Sequence, residues 1–218
     1  MNLSIECDKK IDSKEEIENL THKAYELNRV FFEKDLGELN IKLFYSRSDF
    51  DVRFEEVYNQ KSLPWTVSWI PENYLIYIFS PAVFQKETSH SEGNFIKVLT
   101  HEIAHIFIRE IYKIKKPRWL IEGLADYISG KNFSNVKLKE IIDFGDLHNF
   151  NDFHKYNAYN QSGLFVKYLL DEFGKDKLFS LLSVPMHSND DFGTFCKIFE
   201  EVYGFDFRDI VKNWSVCL

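Results

Sequence analysis

An α+β fold is what this sequence predicts, and three observations predict it. The β-rich stretches, at 40–45, 66–70 and 74–79, all fall within the first 80 residues. From 161 to the end, apolar residues recur at helical spacing. Between these regions, 93–112 forms one long helical pattern with two unlike faces. Strands that precede a run of helices, rather than alternating with them, are the order of an α+β chain.

Each element has a local reason. Residues 13–36 read as a helix: Ser13 caps it, Glu15 and Glu16 suit its first turn, and Ile17, Leu20, Ala24, Leu27, Val30 and Phe31 repeat at helical spacing. Gly37 marks its stop. The stretch 40–45 alternates as a strand does, and 49–58 is ambiguous. Strands 66–70 and 74–79 flank a turn at Pro71, and 80–94 reads as a loop rich in Ser, Glu and Gly. In the helix that follows, Asn94, Val98, His101, His105 and Tyr112 share one sector, and Phe95, Leu99, Ile103, Ile106 and Phe107 cover the opposite side. Pro117 breaks the pattern and a second helix runs over 119–127. Residues 130–157 are polar and irregular, with a short helix at 136–143. Helices at 161–173, 175–184, 190–203 and 207–215 are punctuated by Gly174, Pro185 and Gly204. The reading is one domain, 1–218, with an N-terminal α/β lobe to about 112 and a helical C-terminal lobe from about 113.

Composition narrows the function. The 218 residues are 44% hydrophobic, enough for a sizeable core, and carry a net charge of −7. An acidic chain without a Lys/Arg stripe is a poor partner for nucleic acid or anionic membranes. No run of about 18 apolar residues occurs, so no membrane span is expected. Cys7, Cys196 and Cys217 are far apart and form no C-x-x-C pair, which argues against a disulfide framework or a cysteine metal site. With no signal-peptide pattern at the start, a reduced, cytoplasmic setting is expected.

The chemistry is carried by His101-Glu102-Ile103-Ala104-His105. Residues four apart on a helix stack on one face, so His101 and His105 point the same way and suit one Zn2+ ion. Glu102, about 100° around the helix, reaches a water on the metal without being a ligand. A catalytic zinc needs three protein ligands and one open position. Sixteen residues lie between His105 and Glu122, room for a turn and an antiparallel return, which makes Glu122 the third ligand. Asp126, one turn on, is placed to accept the outward N–H of a liganding histidine and fix its tautomer. The expected reaction is hydrolysis, with Glu102 moving the proton of a water whose pKa the metal lowers from about 15.7 to about 7. Tyr159 is the chosen donor to the oxyanion, with Tyr156 and His154 as alternatives.

H-E-I-A-H followed by W-L-I-E-G-L-A-D-Y resembles the gluzincin metallopeptidases, and most of all the bacterial peptidase MA-like domains. The resemblance implies a zincin-like fold, with Glu122 as glutamate ligand and Asp126 as the carboxylate behind the metal. Residues 159–169 resemble the segment that carries a transition-state tyrosine, placed here at Tyr159, although the spacing to the next glycine is one residue longer. The family also implies that the strand before the metal helix is a sheet edge. An extended peptide would then pair along Tyr74, Leu75, Ile76, Tyr77 and Ile78. The expected function is zinc-dependent hydrolysis of peptide bonds in a peptide or protein substrate. The competing expectation is a catalytically silent binding or regulatory module on a peptidase fold, with a structural zinc.

Overall fold

The computed structural model describes residues 1–8, 10–11, 13–88, 94–133, 141–145, 157–187 and 190–216. It is a mixed α/β structure with one small mixed sheet and, among the described residues, eight helices. The chain divides into two compact units, Met1–Phe107 and Ile108–Leu218. No helix among the described residues is long and apolar enough to cross a membrane.

The first unit holds β1 (Asn2–Glu6), α1 (Lys14–Phe32), β2 (Glu38–Phe44), α2 (Arg47–Tyr58), β3 (Ser68–Glu72), β4 (Leu75–Phe79), α3 (Pro81–Glu87) and most of α4 (Phe95–Tyr112). The sheet order is β1-β2-β4-β3: β1, β2 and β4 run parallel, and β3 pairs antiparallel with β4. β1 is not legible in the sequence, because it is short, mostly polar and half exposed, and is held by pairing with β2 rather than by burial. Ser13 caps α1 by accepting from the Glu16 N–H, as its sequence predicts. The helix ends earlier than expected, at Glu33, whose φ of 55° supplies the left-handed stop expected at Gly37. The ambiguous stretch at 49–58 is α2, with Ser46 as its cap. Part of the expected loop at 80–94 is α3, opened by a Ser80 cap and Pro81 in the first turn.

The expected edge strand is not an edge. Both sides of β4 are paired, by β2 through Leu75, Ile76, Tyr77 and Ile78, and by β3 through Leu75, Tyr77 and Ile78. Tyr74, just outside β4, takes a φ of 60° in the turn from β3, and its carbonyl accepts from Asn40 N–H. No row of backbone groups along 74–78 is left for a substrate. Leu-Ile-Tyr-Ile-Phe is a continuous apolar run, which marks a strand covered on both faces but does not say which strands pair on either side of it. Ile76, Tyr77, Ile78 and Phe79 are all buried. Among the described residues the sheet has two edge strands, β1 and β3, and β3 is the one that pairs with β4. Pro71 lies inside β3 rather than in a turn, a position tolerated at an edge because proline lacks the ladder N–H.

The core of this unit fastens α4. Leu99, Ile103, Ile106 and Phe107 are fully buried. The Phe107 ring stacks on Phe32 at 5.4 Å and meets Tyr25 at 5.4 Å. Asn28 donates to the Thr100 carbonyl at 3.1 Å, a buried tie from α1 to the residue before His101.

The second unit holds α5 (Arg118–Ile128), α6 (Ala158–Ser183), α7 (Phe192–Tyr203) and α8 (Phe207–Val216). α6 holds the two helices expected at 161–173 and 175–184, broken as expected at Gly174, where φ is 80° and ψ is 168°. The helix expected at 136–143 lies mostly outside the described residues; 141–143 are irregular. Trp119 is the hub of the core, with Phe144, Phe165, Phe195 and Phe207 at centroid distances of 5.0, 5.4, 5.8 and 5.8 Å. α5 and α6 cross closely at Gly123. A Cβ there would stand 2.4 Å from the Ser162 carbonyl oxygen.

Candidate metal centre

The α4 helix presents its histidines because its other face is spent on the core. Leu99, Ile103 and Phe107 bury one side, which leaves His101, Glu102 and His105 half-buried on the other. The two Nε2 atoms stand 3.0 Å apart, with ring planes at 82°. Two zinc–nitrogen bonds of about 2.0–2.1 Å at a tetrahedral angle separate the nitrogens by about 3.3 Å. The imidazoles therefore need to part by only about 0.3 Å to share an ion of that kind.

His101, His105 and Glu122 each offer one ligand atom, and these atoms all lie within 4.8 Å of one another. Two imidazole nitrogens and a carboxylate oxygen are a donor set that suits zinc and leaves a fourth position open. The residues present thus fit the ion that the motif implies.

On α5, Arg118, Glu122 and Asp126 follow one another at four-residue spacing, so they line one face. Arg118 Nε donates to Glu122 Oε1 at 3.0 Å, and Arg118 Nη2 donates to the Tyr159 hydroxyl at 3.3 Å. One guanidinium therefore holds both the carboxylate and the phenol. Asp126 is buried, and its Oδ2 accepts from Lys131 Nζ at 2.5 Å. That ammonium also lies 5.8 Å from the centre of the Tyr159 ring.

Tyr159 is the second residue of α6. Its phenol is pushed up to about 12: burial is the main cause, the Glu122 charge adds to it, and Arg118 opposes it. The group therefore keeps its proton at neutral pH and stays a hydrogen-bond donor. His154 and Tyr156, the alternatives to Tyr159, lie outside the described residues.

Glu102 meets a residue that the sequence does not single out. Ser68, on the edge strand β3, donates its hydroxyl to Glu102 Oε1 at 2.6 Å. Tyr58, at the end of α2, is also close enough to feel this carboxylate: burial, and then the Glu102 charge, raise its phenol pKa. Ser68, Arg118 and Lys131 are the additions that the structure makes to the residues chosen from sequence. Arg118 has a usable signal in its four-residue spacing to Glu122. Ser68 has none, being 34 residues from its partner.

Residues 57–218 match the family model described as the peptidase MA superfamily. The match takes in β3, β4 and every helix from α3 onward, and so contains each residue of the centre. A search of curated proteins returns no match.

Proposed function

The chain belongs to the peptidase MA superfamily, and from that premise we propose that it is a zinc-dependent peptidase of zincin-like fold. His101, His105 and Glu122 would hold the ion, and Glu102 would act as general base. The observation that carries this reading is the convergence of two imidazole nitrogens and one carboxylate oxygen, with a second carboxylate beside them on the same helix.

When bound, zinc supplies a lowered water pKa, near 7, and polarises the scissile carbonyl. The chain's own residues supply the rest. Glu102 takes the proton of the attacking water and passes it to the departing amine. A carboxylate has about four lone-pair sites, so Glu122 can keep the Arg118 hydrogen bond while one site serves as ligand. Arg118 thereby restricts how Glu122 can turn. Asp126 would orient a liganding imidazole, while Lys131 holds its Oδ2. Tyr159, protonated and held by Arg118, donates to the oxygen on which charge develops. A peptide or protein substrate would pair in extended form along the outer side of β3, which pairs with no second strand among the described residues and whose Ser68 adjoins the base.

Two measurements test the assignment. Elemental analysis of the purified protein should find one zinc per chain, and His105→Ala should weaken zinc binding by more than the roughly 10- to 100-fold expected for losing an outer partner. A wild-type protein that takes up no zinc, or a His105→Ala protein that binds it equally well, would overturn the metal assignment. Tyr159→Phe should lower kcat by about 10²- to 10³-fold with little change in KM, as expected for a donor felt only in the transition state. Steady-state kinetics on a peptide substrate checks it, and an unchanged kcat would remove Tyr159 from the mechanism.

A further inference from the structure

We propose that Ser68 is a positioning residue for Glu102: its hydroxyl, delivered by the edge strand β3, sets the orientation in which the α4 carboxylate faces the metal centre. The inference rests on the peptidase reading and adds to it a residue from outside the metal helices.

The geometry begins with strand alternation. Trp69 points into the core, its ring within 4.8 Å of Tyr77 and 4.5 Å of Phe50. Successive side chains leave a strand on opposite faces, so Ser68 is turned away from that aromatic cluster. There its Oγ lies 2.6 Å from Glu102 Oε1, within the short range of a hydroxyl donating to a carboxylate.

A glutamate on a half-buried helix face has several rotamers open to it, and a general base works only in those that reach the reacting water. A hydroxyl that holds Oε1 selects among them and directs Oε2 elsewhere. The contact is not required to fasten α4 to the sheet. Leu99, Ile103 and Phe107 are already buried, and Asn28 already ties Thr100 to α1. What Ser68 adds is specific to the carboxylate.

Its position on β3 gives the contact a second consequence. A peptide that pairs along the outer side of β3 adds a strand and stiffens the segment that carries Ser68. Seating the substrate and aligning the base then become one event, because a single strand does both. The loss of the hydroxyl should therefore appear in kcat rather than in KM.

The experiment compares wild type, Ser68→Ala, Ser68→Thr and Glu102→Gln with zinc bound, using an extended peptide substrate and a crystal structure of each protein. Ser68→Ala should keep its zinc and its melting temperature, lose about 10- to 100-fold in kcat, hold KM within about twofold, and show the Glu102 side chain reoriented. Ser68→Thr, which keeps the hydroxyl, should recover kcat to within about threefold of wild type. An Ala variant as fast as wild type overturns the proposal, and so does an equal loss in Ala and Thr, since the hydroxyl would then not be what matters. If wild type itself cleaves nothing, the peptidase reading has failed. The structures then decide the positioning role separately: an unmoved Glu102 in Ser68→Ala overturns it, and a displaced one supports it.

Discussion

Glu102→Gln should bind zinc as tightly as wild type and lose peptide hydrolysis by about 10²- to 10⁴-fold in kcat. The amide keeps the size and half-buried position of the carboxylate, and Ser68 can still donate to its carbonyl oxygen, so the surroundings have no cause to rearrange. What is lost is the ability to take a proton. Glu102 is not among the three residues that would hold the ion, so zinc content should not follow the loss of rate. Zinc titration beside steady-state kinetics separates the two. A variant that still cleaves at the wild-type rate removes Glu102 as base. A wild type that binds zinc and cleaves nothing across a broad peptide library favours a silent module built on the same fold.

Gly123→Ala should have the largest effect on stability, lowering it by about 3 kcal/mol or more. The added methyl would meet the Ser162 carbonyl oxygen at 2.4 Å, its carbon at 2.6 Å and Val166 Cγ2 at 2.9 Å. Two of the three are backbone atoms of α6 and cannot swing aside as a side chain would. The helices must part, and with them the packing of Trp119 against Phe165. The Arg118 link between Glu122 on α5 and Tyr159 on α6 should suffer as well. Denaturant unfolding measures the effect. Gly37→Ala is the control: nothing lies within 4 Å of a Cβ at that position, so stability should stay within about 0.5 kcal/mol. Equal stability of both variants would show that the close α5–α6 approach is not what requires Gly123.

The features legible in the sequence are those that a single helix decides. The division of α4 into an apolar face and a histidine face follows from a rotation of 100° per residue and needs no partner. His101 and His105 are neighbours for that reason alone, and the Ser13 cap and the Gly174 break are equally local. The pairing of Glu122 with Arg118 belongs with them, since its charged four-residue spacing is a purely local signal. α2 and α3 are harder to see because each is short and buries little: Phe50 and Phe84 are their buried residues. Without a sustained apolar stripe, periodicity has little to report.

By itself, then, the sequence determined the chemistry available to this protein: two imidazoles at one-turn spacing, a carboxylate beside them, and an apolar stripe to hold their helix down. Tertiary structure decided what those groups meet. A strand's neighbours depend on pairing between distant segments, so β4 could become an interior strand and β3 an edge strand with no change in local pattern. The hydroxyl on Glu102 comes from 34 residues away, and the guanidinium on Tyr159 from 41. Backbone periodicity reaches only about one helical turn along the chain, and contacts at those separations arise only when the whole core has packed.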